Sequence, residues 1–219
     1  MTDENTSHAA STRVSDASTR FFALHPEAAA YSQQLPPNDP AQPYSWYPMY
    51  VKYRKELSVQ QVLEAHDFRT FIPMEEYHVK RGSSVHTERR PAIHNLIFVY
   101  SFRQRISWMK MFNRQCQPLQ YMSRPLLDGS SEVLTVTDKA MDNIIRAATL
   151  DDPRGQRTYI DRSLGLTDIN KPIRFISGTF KGIEGIIKRI DKNRAMIIPL
   201  AQGISMKITI TSASDIEFL

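Results

Sequence analysis

Six histidines, one cysteine and several paired carboxylates are the groups in this sequence that could do bond chemistry. Their spacing argues against it. His66, His78, His86 and His94 are scattered, without the short intervals that bring metal ligands together. Cys116 is the sole cysteine, so neither an intrachain disulfide nor a cysteine-based metal site can form. Glu75 and Glu76 fall in a strand-like stretch, where adjacent side chains face opposite ways and cannot share acid–base work. Asp151 and Asp152 sit in a polar, Pro/Gly-containing run. Gly178 to Gly182 lacks the Gly-Lys-Ser/Thr ending of a phosphate loop, and no Gly-x-Ser-x-Gly elbow occurs. Nothing assembles a nucleophile, a base and a stabilising donor. The expectation is a protein that is not an enzyme, with no cofactor and no metal.

Binding chemistry is better represented. Lys52, Arg54 and Lys55 surround Tyr53 just where an aromatic run gives way to a helical pattern. Cations at a helix start are disfavoured by its dipole, so their presence there asks for a reason outside the helix. A basic edge with an aromatic ring for base stacking suits a single nucleic-acid strand. Three solvated charges at a strand end remain the alternative. The net charge of +5 is uneven, at −3 over residues 1–42, +7 over 43–125, −2 over 126–165 and +3 over 166–219. The basic block fits phosphates or acidic protein surfaces.

These groups need elements to hold them. Trp46 to Lys52 reads as a strand, with Pro48 favouring an edge or bulge because it cannot donate to a ladder. Val59, Val62, Leu63 and His66 repeat at helical spacing over about residues 55–66. Strands follow at Phe68–Pro73 and at Tyr77–Arg90, the latter folded at Arg81–Ser84. Ile93–Phe102 is the most apolar strand. A second helix spans Ser101–Asn113, a short strand Pro118–Met122, and a third helix is capped by Thr137, with Met141, Ile144, Ile145 and Ala148 on one stripe. The order implies an α+β sandwich of helices on a mixed sheet.

At 219 residues the chain accommodates two domains. The expected division is a disordered tail at 1–42, rich in Ser, Thr, Ala and Pro, a first domain at 43–150, a linker at 151–165, and a second domain at 166–219. No window resembles a membrane span, no signal peptide opens the chain, and the lone cysteine suits a reducing cytoplasm. A monomer that does not engage a membrane is expected.

The second domain is organised around Lys171–Ile190, where Gly178, Gly182 and Gly185 punctuate β-branched and aromatic residues. Ile173–Ser177 reads as a strand, Gly178–Gly182 as a tight connection, and the following strand bends at Gly185. With Ala195–Leu200, the period-two run Ile204–Ile210, and Ile216–Phe218, five strands in about 50 residues imply a small barrel. This segment resembles the KOW motif of NusG-like transcription factors and several ribosomal proteins, through Gly178, Phe180, Gly182 and Gly185 and the apolar residues between them.

The first domain resembles the NusG N-terminal domain. Trp46-Tyr47, Val62-Leu63, Phe71-Ile72-Pro73 and the basic hairpin leading to Pro91-Ala92-Ile93-His94-Asn95-Leu96-Ile97-Phe98-Val99 match its pattern in order. His94, Asn95 and Leu96 replace the proline, glycine and tyrosine usual in the family. The resemblance covers about residues 44–219. It implies a NusG-type α/β sandwich followed by a five-stranded, SH3-like KOW barrel. It also implies binding to the clamp helices of RNA polymerase through Tyr50, Ile93, Leu96 and Phe98, with suppression of pausing or termination. The divergence and the long tail are similar to the operon-specific UpxY-type paralogues that antiterminate surface-polysaccharide operons. In that setting Lys52, Tyr53, Arg54 and Lys55 would read non-template DNA or nascent RNA, and the barrel would recruit ribosomal protein S10 or Rho. A KOW-containing RNA- or ribosome-binding protein is the alternative. Leu96 and Phe98 share a strand face, which is either an exposed partner-binding patch or core.

Overall fold

The computed structural model describes residues 34–161, 171–190, 193–201 and 203–219. Alternation builds its first sheet. In β1 (Ser45–Val51) and β5 (Leu96–Ser101), successive side chains point to opposite faces, and both faces are covered. The sheet runs β2-β5-β1-β6, where β2 is Arg69–Phe71 and β6 is Leu119–Tyr121. One face, with Tyr47, Met49, Val51, Ile97 and Val99, packs on Val59 and Leu63 of α1 (Glu56–Glu64) and on Ile106 and Met109 of α2 (Arg103–Phe112). The opposite face, with Trp46, Leu96 and Phe98, packs on Met141, Ile144 and Ala148 of α3 (Asp138–Thr149). Thr137 caps α3 as expected, its hydroxyl accepting from the Ala140 amide at 3.4 Å.

Pro48 lies in the interior strand β1, not at an edge as its chemistry led us to expect. The reason is visible in the ladder. Met122 donates to the Pro48 carbonyl, and the Met122 carbonyl that Pro48 cannot serve accepts the Leu134 amide at 2.8 Å instead. A second connection thus replaces the missing donor. Two hairpins extend from this domain. The longer joins β3 (Met74–Arg81) to β4 (Ser84–Pro91), and the shorter joins β7 (Ser123–Pro125) to β8 (Ser131–Val133). Of the tail expected over 1–42, residues 34–42 are described and lie against the first domain. Leu35 packs on its core, and the Pro36 carbonyl accepts from the buried Arg105 guanidinium at 3.0 Å. The rest of that tail falls outside the described residues.

The C-terminal sheet runs β14-β10-β11-β12-β13-β9. Its strands are β9 (Arg157–Asp161), β10 (Lys171–Phe175), β11 (Glu184–Ile190), β12 (Asn193–Ala201), β13 (Ile204–Thr209) and β14 (Ile216–Phe218). Two expectations are corrected here. Among the described residues every strand pairing in both sheets is antiparallel, so the first sheet is not mixed. The second sheet has six strands where five were expected, because Arg157–Asp161, read as linker for its polarity, pairs with β13. A polar strand forms there because only part of it faces the core, while its backbone completes the sheet edge.

Gly178 and Gly182 lie in the tight connection expected of them, whereas Gly185, where a bend was expected, holds a close approach of two regularly paired strands. Gly178 and Gly182 adopt φ of +73° and +84° in the β10–β11 connection, with Phe180 buried between them. At Gly185 a Cβ would lie 2.8 Å from the Ile197 carbonyl oxygen and 2.5 Å from Met196 Cγ, so β11 and β12 approach too closely for any side chain.

The two sheets are joined through α3. Trp46, Leu96, Phe98, Met141 and Ile144 belong to one continuous apolar cluster with Ile173, Phe180, Met196 and Met206 of the C-terminal sheet. Asn143 clamps the start of β11, donating to the Glu184 carbonyl at 2.7 Å and accepting its amide at 2.9 Å. The Glu184 carboxylate meets Lys139 at 3.4 Å and Arg174 at 2.7 Å. Hydrogen bonding from Arg174, with Lys139 nearby, holds its pKa below the usual carboxylate value.

Candidate functional site

The turn after β1 and the loop before β5 meet at one end of the first sheet. Val51 donates to the Asn95 carbonyl at 2.8 Å, which brings the loop Ala92–Asn95 against the turn Lys52–Arg54. The turn has two consecutive non-glycine residues in the left-handed region, Tyr53 at φ 66° and Arg54 at φ 51°. Such a conformation costs energy and persists only when the surroundings over-determine it. Asn95 supplies part of that constraint. Its side-chain oxygen accepts the Arg54 amide at 3.1 Å, and its own amide donates to Glu56 Oε1 at 3.3 Å. Asn95 itself sits at φ 65°, which explains how it stands where the resembling family has glycine, since asparagine tolerates that region better than most residues.

Glu56 is 2% exposed, the first residue of α1, where its charge complements the helix dipole. Its Oε1 also lies 3.5 Å from His94 Nδ1, while Oε2 has no hydrogen-bond partner among the described residues. Glu56, His94 and Asn95 were not singled out from sequence as site residues. The signals available were His94 and Asn95 standing where the resembling family has proline and glycine, whereas the Glu56 carboxylate is brought to the loop by the fold.

The result is a displayed edge. Lys52, Arg54 and Lys55 are exposed, and Tyr53 is 77% exposed, its ring held out by the strained turn. Among the described residues none of the three cations forms an ion pair. On the long hairpin β3–β4, Arg81 and Arg90 are engaged with Glu88 at 2.8 and 2.6 Å.

The apolar set is divided. Register places Tyr50 opposite Leu96 and Pro48 opposite Phe98, so Tyr50, Leu96 and Phe98 share one face as the strand period requires. Tyr50 is 40% exposed at its rim and Ile93 is nearly buried. Leu96 and Phe98 have no accessible surface, which corrects the exposed-patch reading in favour of core. The physical reason is the apolar cover made by α3 and the C-terminal sheet. Between the two sheets remain a groove of about 540 Å³ beside Pro48, Val136 and Leu200, and a cleft of about 590 Å³ beside Glu75, Arg89 and Asp152.

Cys116 is buried, and desolvation pushes its thiol up to about 12, which leaves it protonated and unreactive at neutral pH. Among the described residues no group of three or more His, Cys, Asp or Glu side chains is placed to hold a metal, and no helix is long and apolar enough to cross a membrane.

Residues 44–145 match the family model described as "NusG: Transcription termination factor nusG". That match makes residues 44–145 NusG-like. Proteins of this family are transcription factors, not enzymes, and generally bind RNA polymerase. A structure titled "Domain interaction in Thermotoga maritima NusG" aligns with 80% of this chain and 97% of that chain, at 15% identity and a TM-score of 0.39. No curated protein matches the chain.

Proposed function

We propose that this chain is an operon-specific transcription antitermination and elongation factor that binds RNA polymerase and suppresses pausing or termination. A surface-polysaccharide operon, as for UpxY-type relatives, is the proposed setting, and the cytoplasm the proposed location. The observation that carries the reading is a NusG-like domain whose β1–α1 turn presents an unpaired, strained Lys52-Tyr53-Arg54-Lys55 edge. A single strand of non-template DNA or nascent RNA would run along those cations and stack a base on Tyr53.

The polymerase contact would use the face of Tyr50, Ile93, Leu96 and Phe98. Tyr50 is accessible at its edge, whereas Leu96 and Phe98 reach the clamp helices only when the elements covering them move. We accordingly treat residues 43–150 and the C-terminal sheet as two units, the latter a KOW domain that includes β9. The glycine geometry of Gly178, Gly182 and Gly185 and the burial of Phe180 support that assignment. Ribosomal protein S10 or Rho are the proposed partners of this second unit.

Charge reversal at Arg54 and Lys55 tests the nucleic-acid edge, because both side chains are exposed and their loss should leave the fold intact. Arg54→Glu with Lys55→Glu is expected to abolish read-through of the cognate operon leader while polymerase binding persists. Unchanged read-through would place recognition elsewhere. Loss of ribosome or RNA binding with no effect on transcription would favour the RNA-binding alternative.

A further inference from the structure

Strand β9 serves both halves of the molecule. In the C-terminal sheet it lies at the outer edge, among the described residues paired with β13 alone, in a register from Arg157 opposite Ile208 to Asp161 opposite Ile204. Toward the first domain, the Arg157 guanidinium donates to the Ala147 and Leu150 carbonyls at 2.7 and 2.9 Å. Those carbonyls belong to the last turn of α3, where helix acceptors lack intrahelical partners and cations are favoured. The Asp152 carboxylate accepts the Gln156 and Arg157 amides at 3.0 and 2.7 Å and fixes the approach to the strand. A single short strand therefore completes a sheet and caps a helix in the other unit.

Its fit to the sheet is imperfect. Tyr159 packs toward the core opposite Met206, yet its hydroxyl is buried and among the described residues has no hydrogen-bond partner, and burial pushes its pKa up to about 12. A buried hydroxyl without a partner keeps its full desolvation cost. On the outward face, Thr158 lies opposite Lys207, and among the described residues Lys207 forms no ion pair. A strand with an apolar ring in the place of Tyr159 and a carboxylate in that of Thr158 would suit β13 better than β9 does.

We propose that β9 is a displaceable occupant of the β13 edge, and that an extended, acidic segment of a partner protein takes its place by antiparallel strand addition. Eviction of β9 withdraws Arg157 from α3, so partner binding at the sheet edge loosens the attachment between the two units. The coupling is reciprocal, because anything that frees Arg157 from α3 also weakens the hold of β9 on β13.

The full chain can be tested with a fluorescein-labelled peptide of residues 155–161 carrying Thr158→Glu and Tyr159→Phe. Binding is read by fluorescence anisotropy. The opposed pair Thr158 and Lys207 is replaced by cysteines in a second form of the chain, so that a disulfide pins β9 in place. The reduced form is expected to bind the peptide at least tenfold more tightly than the oxidised form. Wild-type chain is expected to prefer this peptide at least threefold over one carrying Thr158→Lys. Arg157→Ala, with an unchanged circular dichroism spectrum, is expected to tighten binding at least fivefold. Equal affinity of the oxidised and reduced forms, or no binding to either, would overturn the exchange. If Arg157→Ala does not fold, the disulfide comparison decides alone.

Discussion

Replacing Phe98 with alanine is expected to lower the unfolding free energy by about 3–5 kcal/mol, the range for deleting a buried aromatic ring. The ring has no accessible surface, and its centroid lies 6.3 Å from that of Phe71 within the cluster that joins the two sheets. Urea denaturation of the full chain measures the change, through the midpoint at constant slope. The size of the effect reports directly on the cover over this face. A loss below about 0.5 kcal/mol is what exposed positions show, and it would mean that α3 and the C-terminal sheet do not bury Phe98 in solution. The same burial bears on function, since a polymerase-binding defect in a Phe98 variant counts only where the variant is shown to fold.

Gly185→Ala is expected to destabilise the chain by about 1–3 kcal/mol, the usual cost of forcing a methyl group into a packed site. Met196 can rotate away from the added carbon, but the Ile197 carbonyl oxygen at 2.8 Å is backbone and moves only if β11 and β12 separate. The register of that pair runs from Ile186 opposite Ile197 to Ile190 opposite Asn193, so separation would disturb the pairing at its closest point. Thermal unfolding followed by circular dichroism checks the effect. A variant as stable as wild type would show that the strands do not approach so closely at Gly185, and the motif reading of the three glycines would lose its structural basis.

Local patterning made much of this architecture legible. The aromatic, β-favouring run Trp46–Lys52 marked a strand, and the helical spacing of Met141, Ile144 and Ala148 with Thr137 before it marked a capped helix. The turn Arg81–Ser84 and the glycine run were also readable, because turns are set by residues a few positions apart. What escaped was carried by contacts distant in sequence. Arg157–Asp161 has the composition of a linker, and only its pairing with β13 makes it a strand. Asn143 on α3 binds the backbone of Glu184 at the start of β11, a contact that no local pattern signals. The alternation that placed Leu96 and Phe98 on one face could not say what covers that face, because strand period is a local property and cover is not.

At the site the same division holds. The basic and aromatic residues Lys52–Lys55 were visible as types, and their exposure follows from their place in a turn. The strain at Tyr53 and Arg54, and its support by Asn95 and Glu56, required the loop before β5 to fold back onto the end of β1. Glycine at position 95 would keep the positive φ but lose the side-chain acceptor for the Arg54 amide.

The most direct test of the account is a parallel pull-down of the tagged full chain against core RNA polymerase and against ribosomes. Retention of core RNA polymerase from purified components, reduced by substitution of the accessible rim residue Tyr50 and unaffected by Arg54→Glu with Lys55→Glu, is the predicted result. Capture of ribosomes with no retention of polymerase would contradict it.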